Sequence, residues 1–421
     1  MSFPVSRVLV VSIAASLAVF LFFQRSYSAD DQMQFSRKSI DVGLQLGRVM
    51  QKHKIAGLAV AVVKNGKTLW SAGYGKADVK RDVAASSDTV YRIASISKTF
   101  TAASLMVALD RGLVSVDADV SDYLGFKLRN PNFPETPITL KHLLTHTSGI
   151  LDAGGPYDRF LSASKKPGSV SIDQFVTAEG GYYEPGVWGD YEPGSGTFNY
   201  SNYCSGLVAT IIERVTKRRF DRFALENVLV PSGMSASFNV DDIKDFSMVG
   251  VCYKPDGNSY EAACDDFGGV RPAPTDIGKY KIGLNGLFWS PQGGLRSSVD
   301  DLARFMCVMI GHGKTPDGKS IFSEETWRLM HNTHWTGNGF DGFYREKGLG
   351  IQITDKFVAG ERMFGHSGEA YGIISDMFYS PEKGFGIALI SSGAVITDGS
   401  SSGIYLHEEE IAKILYDNFI K

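Results

Sequence analysis

A serine followed three positions later by a lysine can supply a nucleophile and its base, and Ser95-Ile96-Ser97-Lys98 is such a pair. On a helix, that spacing puts both side chains on one face. A helix N-terminus would add unpaired amides and positive potential, which favour an alkoxide and a later oxyanion. The lysine works as a base only where burial or a nearby cation lowers its pKa. The competing reading is an N-cap serine followed by a surface lysine. Tyr200-Ser201-Asn202 brings a phenol and an amide together just before the helical pattern GLVATIIERV, where the alternative is a capping turn with Ser201 or Asn202 as the cap. His366-Ser367-Gly368 closes the strand-like run ERMFGH. A polar residue, a small one and a glycine on a strand edge let a ligand backbone come close, and the alternative is a plain strand end.

Other candidates carry weaker signals. Gly365-His366-Ser367-Gly368-Glu369 nearly matches the nucleophile elbow G-x-S-x-G, but it lacks the last glycine and a strand follows where the elbow needs a helix. His331 and His334 lack a third ligand signal, and His142 and His146, one helical turn apart, lack the glutamate of a zincin. No metal or cofactor is therefore expected. Tyr157, Tyr182, Tyr183, Trp188 and Tyr191 are candidates to line a cleft, with core or loop packing as the alternative for each.

These residues need elements to hold them. Residues 36–53 read as an amphipathic helix. GLAVAVV (57–63), Asn65-Gly66 and KTLWSAGYG (67–75) read as a hairpin around a type I′ turn. A helix is expected from Ser95 to the glycine stop at Gly112. Over 113–295, short helical segments such as TLKHLLTH alternate with Gly-, Pro- and Tyr-rich loops. Regular structure resumes with helices at 299–311 and 323–331 and strands near 349–354, 361–366, 372–380 and 385–391, before a last helix at 404–419. Strands at both ends with helices between them predict one sheet built from distant segments.

The chain has 421 residues, 43% of them hydrophobic and 21% charged, which excludes wholesale disorder. Forty-three basic against 46 acidic residues give a net charge of −3, which argues against nucleic acid as the main partner. Residues 1–28 read as a signal peptide: Arg7 precedes the uncharged run Val8 to Phe23, and Ser26 and Ser28 fit a cleavage site before Ala29. The run is shorter than the roughly 20 residues of a spanning helix, so membrane association would follow only from an uncleaved anchor. The protein is then exported, periplasmic or secreted. In that oxidising setting Cys252 and Cys264, which bracket a hairpin-like stretch, are candidates for a disulfide, while Cys204 and Cys307 read as buried thiols.

Taken in order, S-x-x-K, Y-x-N and H-x-G resemble the motif set of the serine β-lactamase and penicillin-binding protein superfamily. The nearest branch holds class C β-lactamases, D-Ala-D-Ala carboxypeptidases, D-aminopeptidases and related esterases. The phrases YRIASISKTFTA (91–102), LLTHTSGI (143–150), PGSGTFNYSNY (193–203), QGGLRSSVDDLARF (292–305) and FGHSGEAYG (364–372) carry the resemblance from about residue 36 to the C-terminus.

The resemblance implies an α+β fold: an antiparallel sheet flanked by terminal helices, with a mainly helical domain inserted over 113–295 of a single 29–421 unit. Ser95 would lie in the cleft between sheet and insertion and form an acyl-enzyme. Lys98 would accept or relay its proton, and Tyr200, as a phenolate or shared-proton partner, would protonate the leaving group. Asn202 would hold Lys98 and the substrate amide. The backbone N–H groups of Ser95 and of Glu369, which follows Gly368, would form the oxyanion hole. Class C β-lactamases usually carry lysine where this chain has His366. That histidine would bind a substrate carboxylate when protonated, or only hydrogen-bond when neutral. The implied substrates are peptides containing D-amino acids, as in peptidoglycan stems. The alternatives are small or glycan-linked esters, β-lactams, and a non-catalytic sensor that traps an acyl group.

Overall fold

The computed structural model describes residues 29–152, 155–165, 170–399 and 403–421. The signal-peptide expectation for residues 1–28 lies outside them. The chain divides into two compact units, Met1–Leu46 and Gly47–Lys421, and the second holds the sheet and every residue singled out for chemistry. The first expected helix is present as Ala29–Lys52. Among the described residues, no helix is long and apolar enough to cross a membrane.

The strands are β1 (Gly57–Lys64), β2 (Lys67–Asp78), β3 (Val83–Ala84), β4 (Tyr91–Arg92), β5 (Cys252–Asp256), β6 (Ser259–Cys264) and β7 (Arg296–Ser297). They continue with β8 (Trp335–Gly339), β9 (Tyr344–Lys347), β10 (Gln352–Thr354), β11 (Met363–Ala370), β12 (Ile373–Ser380) and β13 (Phe385–Ser392). Nine of them form one antiparallel sheet in the order β3-β2-β1-β13-β12-β11-β10-β9-β8. The two ends of the chain join at β1 and β13, in register from Gly57↔Ser392 to Lys64↔Phe385. The β1–β2 hairpin closes through Asn65 and Gly66, both at positive φ (53° and 71°), as a type I′ turn requires.

β1 is buried along nearly its whole length, which fits its uninterrupted apolar run, and β12 and β13 are buried throughout, β12 with Ser375 and Asp376 enclosed mid-strand. The helix Val299–Ile310 packs across β1, β2, β12 and β13, and its N-terminus is capped by Ser298 Oγ, which accepts from Asp301 N at 3.1 Å. The C-terminal helix Leu406–Phe419 packs on β13 and stacks Phe419 on Trp70. Cys252 and Cys264 are disulfide-bonded across the β5–β6 hairpin with Cα atoms 5.1 Å apart, and Cys204 and Cys307 are free and buried.

Three expectations need correction. Ser95 does not begin an α-helix. It lies on a 3-10 turn, Ala94–Ile96, and the helix runs from Ser97 to Asp110. Ala94, which opens that turn, has φ +45°, outside the right-handed region an α-helix needs, so the chain leaves β4, kinks at Ala94 and only then winds up. Residues 349–351 are not a strand: Gly350 (φ 72°) sits where an added Cβ would lie 2.3 Å from the Ala102 Cβ. The strand expected at 361–366 runs instead from Met363 to Ala370, because pairing with β12 continues to Ala370↔Ile373. H-x-G is therefore mid-strand. β8 and β9, short and polar, had no periodic signal.

The kink at Ala94 predicts a stability effect. A left-handed non-glycine residue costs about 1–2 kcal/mol, and a β-branched one costs more. Ala94→Val should lose at least about 2 kcal/mol in urea unfolding, whereas Ala94→Gly should be as stable as wild type or more so. Equal tolerance of both would contradict the geometry.

Candidate active site

Two segments form the shoulders of the Ser95 turn. Tyr91 and Arg92 of β4 pair with Ser297 and Arg296 of β7. Arg296 forks onto Asp265 with two 2.8 Å bonds and Arg92 Nη2 adds a third at 3.2 Å, so one buried carboxylate ties both strands together. Ile93 N donates to Leu295 O at 3.0 Å, and Leu295 N donates to Ser97 Oγ at 3.1 Å. This clamp brings the 290–295 turn against the start of the helix.

Lys98 is 5% exposed, so it is not a surface lysine. Its Nζ lies 3.1 Å from Ser95 Oγ and donates to Asn202 Oδ1 at 2.6 Å and to Gln292 O at 2.8 Å. Burial is the main reason that its pKa falls from the ordinary 10.5 to about 7; Asp152 opposes the shift and Lys347 adds to it.

Asn202 stands at the N-terminus of the helix Tyr203–Thr216 but makes no side-chain cap. Its amide is used elsewhere: Oδ1 accepts from Lys98 and Nδ2 donates to Asp152 Oδ2 at 2.7 Å. Asp152 supplies the cap from a distant loop. It accepts from Asn202 N at 2.6 Å, from Tyr203 N at 3.3 Å and from Ser201 Oγ at 3.1 Å. The capping-turn reading of Tyr200-Ser201-Asn202 is thereby excluded.

The Tyr200 ring lies 4.7 Å from Lys98 Nζ and between two other rings, His146 at 4.4 Å and Tyr344 at 5.7 Å. Its hydroxyl is buried and forms no regular hydrogen bond, with Ser95 and Tyr344 as polar neighbours. Burial pushes the Tyr200 phenol well above its ordinary 10. A standing phenolate is disfavoured, so Tyr200 is a neutral phenol near pH 7.

His366 and Gly368 share one face of β11. A Cβ at Gly368 would lie 2.6 Å from Ile93 O and 3.0 Å from Ser95 N, so only glycine lets the strand reach the Ser95 amide. Glu369 follows, its side chain exposed and accepting from Tyr405 Oη at 2.9 Å. His366 is fully buried, and its Nδ1 is 2.5 Å from Ser367 O, which calls for the Nδ1–H tautomer. Burial, then Lys347 and Lys98, hold it well below the usual imidazole range, so it is neutral near pH 7. A protonated His366 gripping a carboxylate is therefore disfavoured.

The weaker candidates take structural places. Ser367 Oγ donates to Asp376 Oδ1 at 2.6 Å on the opposite face of β11, away from Ser95. His331 is held between Trp327 O (2.8 Å) and Tyr379 Oη (2.9 Å), and His334 Nε2 sits 2.7 Å from Leu329 O. His142 Nδ1 accepts from Thr139 N in a capping box, while His146 Nδ1 accepts from Ser201 N at 3.2 Å, so these two histidines do not converge on a metal. Trp188 Nε1 donates to Val176 O, and Tyr182 stacks on Phe175. Tyr157 is edge-on to Tyr203, with Asp152 and Tyr200 among the groups that act on its phenol. Among the described residues, the one cluster with metal-ligand spacing is Cys252, Cys264 and Asp265, and its two sulfurs are joined in the disulfide.

The family model for Beta-lactamase matches residues 45–408. The chain belongs to this family. Its members are serine hydrolases of the β-lactamase and penicillin-binding protein type. The octameric penicillin-binding protein homologue from Pyrococcus abyssi has a similar structure, with TM-score 0.66, 25% identity, and 89% of this chain and 76% of that chain covered. Protein flp of Staphylococcus aureus (strain MRSA252) is 25% identical over 82% of this chain and 60% of its own length. Penicillin-binding protein 4* of Bacillus subtilis (strain 168) is 25% identical over 61% of this chain and 52% of its own. The chain thus spans between half and about three fifths of these curated relatives.

Sequence reasoning missed Asp152, Lys347 and the aromatic wall of Phe340 and Tyr344 around Tyr200. None carries a local pattern. Asp152 is separated by 50 residues from the backbone it caps.

The contact at Gly368 predicts that Gly368→Ala pushes β11 away from the Ser95 amide. Losing one oxyanion donor costs about 10²–10³-fold, so if β11 supplies one, the Ser95 acylation rate should drop by that order at temperatures where the variant, although it melts lower, is still fully folded. An alanine variant with wild-type acylation would exclude this strand from the reaction.

Proposed function

We propose that the chain is an exported serine acyl-transfer hydrolase that works through a Ser95 acyl-enzyme on peptides containing D-amino acids. The carrying observation is Lys98 Nζ at 3.1 Å from Ser95 Oγ, in surroundings that bring the amine to about 7, so that about half of it is uncharged at pH 7. Neutral Lys98 takes the proton as Ser95 Oγ attacks the acyl carbonyl. The oxyanion forms against the Ser95 and Glu369 backbone N–H groups. The Tyr200 phenol passes a proton to the leaving amine and is replenished by Lys98, now an ammonium 4.7 Å from its ring. Water then releases the acyl group by the same relay run in reverse. Asn202, anchored by Asp152, orients Lys98 and is placed to meet the substrate amide.

The D-amino-acid reading is supported by two relatives described as penicillin-binding. Export is supported by the Arg7-led apolar run and by a disulfide, which persists in oxidising compartments. A second reading, esterase action on uncharged acyl donors, is favoured by the neutral, buried His366, which offers no cation to a substrate carboxylate.

A fluorophosphonate or a labelled penicillin should modify wild type on the peptide containing Ser95 and leave Ser95→Ala unmodified, as read by mass spectrometry. In the same assay, D-Ala-D-Ala peptides should leave a Ser95 adduct or be cleaved faster than short-chain esters; the reverse order selects the esterase reading. Labelling of Ser95→Ala at Ser367 would defeat the mechanism.

A further inference from the structure

Lys347, the last residue of β9, is fully buried, and its Nζ has no hydrogen-bond partner among the described residues. A buried ammonium without a partner is costly and calls for a reason. Its surroundings supply one. Lys347 Nζ lies 5.0 Å from the centre of the Tyr344 ring, which stacks on Tyr200 (5.7 Å, 19°) and lies 6.3 Å from the His366 ring. Across the sheet it pairs with Gln352, which in turn pairs with Gly365, the neighbour of His366. Lys98, His146 and His366 line one small cavity of about 20 Å³ beside the Ser97–Asp110 helix.

We propose that Lys347 is a positioning residue of the proton-transfer unit, whose charge, placed behind the Tyr344–Tyr200 stack, disfavours the ammonium form of Lys98. The inference rests on Lys98 being the base. The groups facing this region are two lysines (98 and 347), two histidines (146 and 366), two phenols (Tyr200 and Tyr344) and the Cys204 thiol, with Asp152 as the carboxylate that acts on Lys98. The nearest acid in sequence, Glu346, is engaged by Arg362 and Thr333. A cation on Lys347 makes protonation of Lys98, His146 and His366 harder, and it acts on all three. Burial brings Lys347 itself to about 7, so both amines change charge over the same pH range.

The test is the pH dependence of Ser95 acylation by a fluorophosphonate in wild type, Lys347→Met and Lys347→Arg, with thermal melts on each. Removing the cation raises the Lys98 pKa, so the acid limb for Lys347→Met should move upward by at least about half a pH unit. Lys347→Arg, charged throughout, should keep the limb at or below the wild-type position. Stability gives a second readout. A lysine lowered from 10.5 to about 7 on folding loses stability as pH falls from 10.5 to 7, and that loss is complete below 7. Lys347→Met should therefore melt above wild type at pH 7 and approach it above about pH 10.5. A slower Lys347→Met with an unmoved limb, or one that fails to fold, overturns the proposal and makes Lys347 a structural lysine. Undiminished acylation by Lys98→Met would instead overturn the assignment of the base.

Discussion

The site depends on keeping one amine out of water. A lysine in solvent is an ammonium and cannot accept the serine proton at neutral pH. Enclosure brings Lys98 to about 7, and its two outward contacts, Asn202 Oδ1 and Gln292 O, are neutral acceptors instead of carboxylates. A carboxylate in either place would restore the charge. Asp152 is held one residue back, behind the Asn202 amide, where it spends its oxygens on three N–H groups and a hydroxyl. The protein thus gains the anchoring strength of an anion without a direct ion pair to Lys98.

That arrangement requires three distant segments to meet within hydrogen-bond reach. The β1–β13 pairing closes the sheet between the ends of the chain, and the Arg92–Asp265–Arg296 cluster pins the 290–295 turn to the strand before Ser95. The left-handed Ala94 then turns Ser95 out of that strand and starts the helix that carries Lys98. Gly368 lets β11 close the remaining side. Strain and a missing side chain sit next to Ser95, the proposed nucleophile, and the ion cluster and the buried strands supply the rigidity that holds them.

Much of this was legible in the sequence because its signals are local. Asn65-Gly66 announces a hairpin, the apolar runs of β1 and β13 announce buried strands, and S-x-x-K carries its own geometry. The motif residues Ser95, Lys98, Tyr200 and Asn202 do gather around one point. What escaped depends on the tertiary fold. The cap of the Tyr203–Thr216 helix comes from Asp152, so the ordinary search for a nearby capping residue fell on Asn202 instead. Lys347 in the polar run YREK looks like a surface residue, and only the placement of β9 inside the sheet buries it. The extension of β11 through H-x-G reflects pairing with β12, which overrides the weak strand preference of Gly365 and Gly368.

The central claim, that enclosure brings the Lys98 amine to a midpoint near 7 so that a large fraction of it is uncharged at neutral pH, can be read directly. Protein carrying ¹³C at lysine Cε, followed by NMR from pH 5 to about 11, reports each amine, and the resonance missing from Lys98→Met identifies this one. The account predicts a midpoint near 7 for that resonance. A midpoint near the solvent-exposed value of about 10.4 would contradict it, leaving Ser95 without a base at neutral pH.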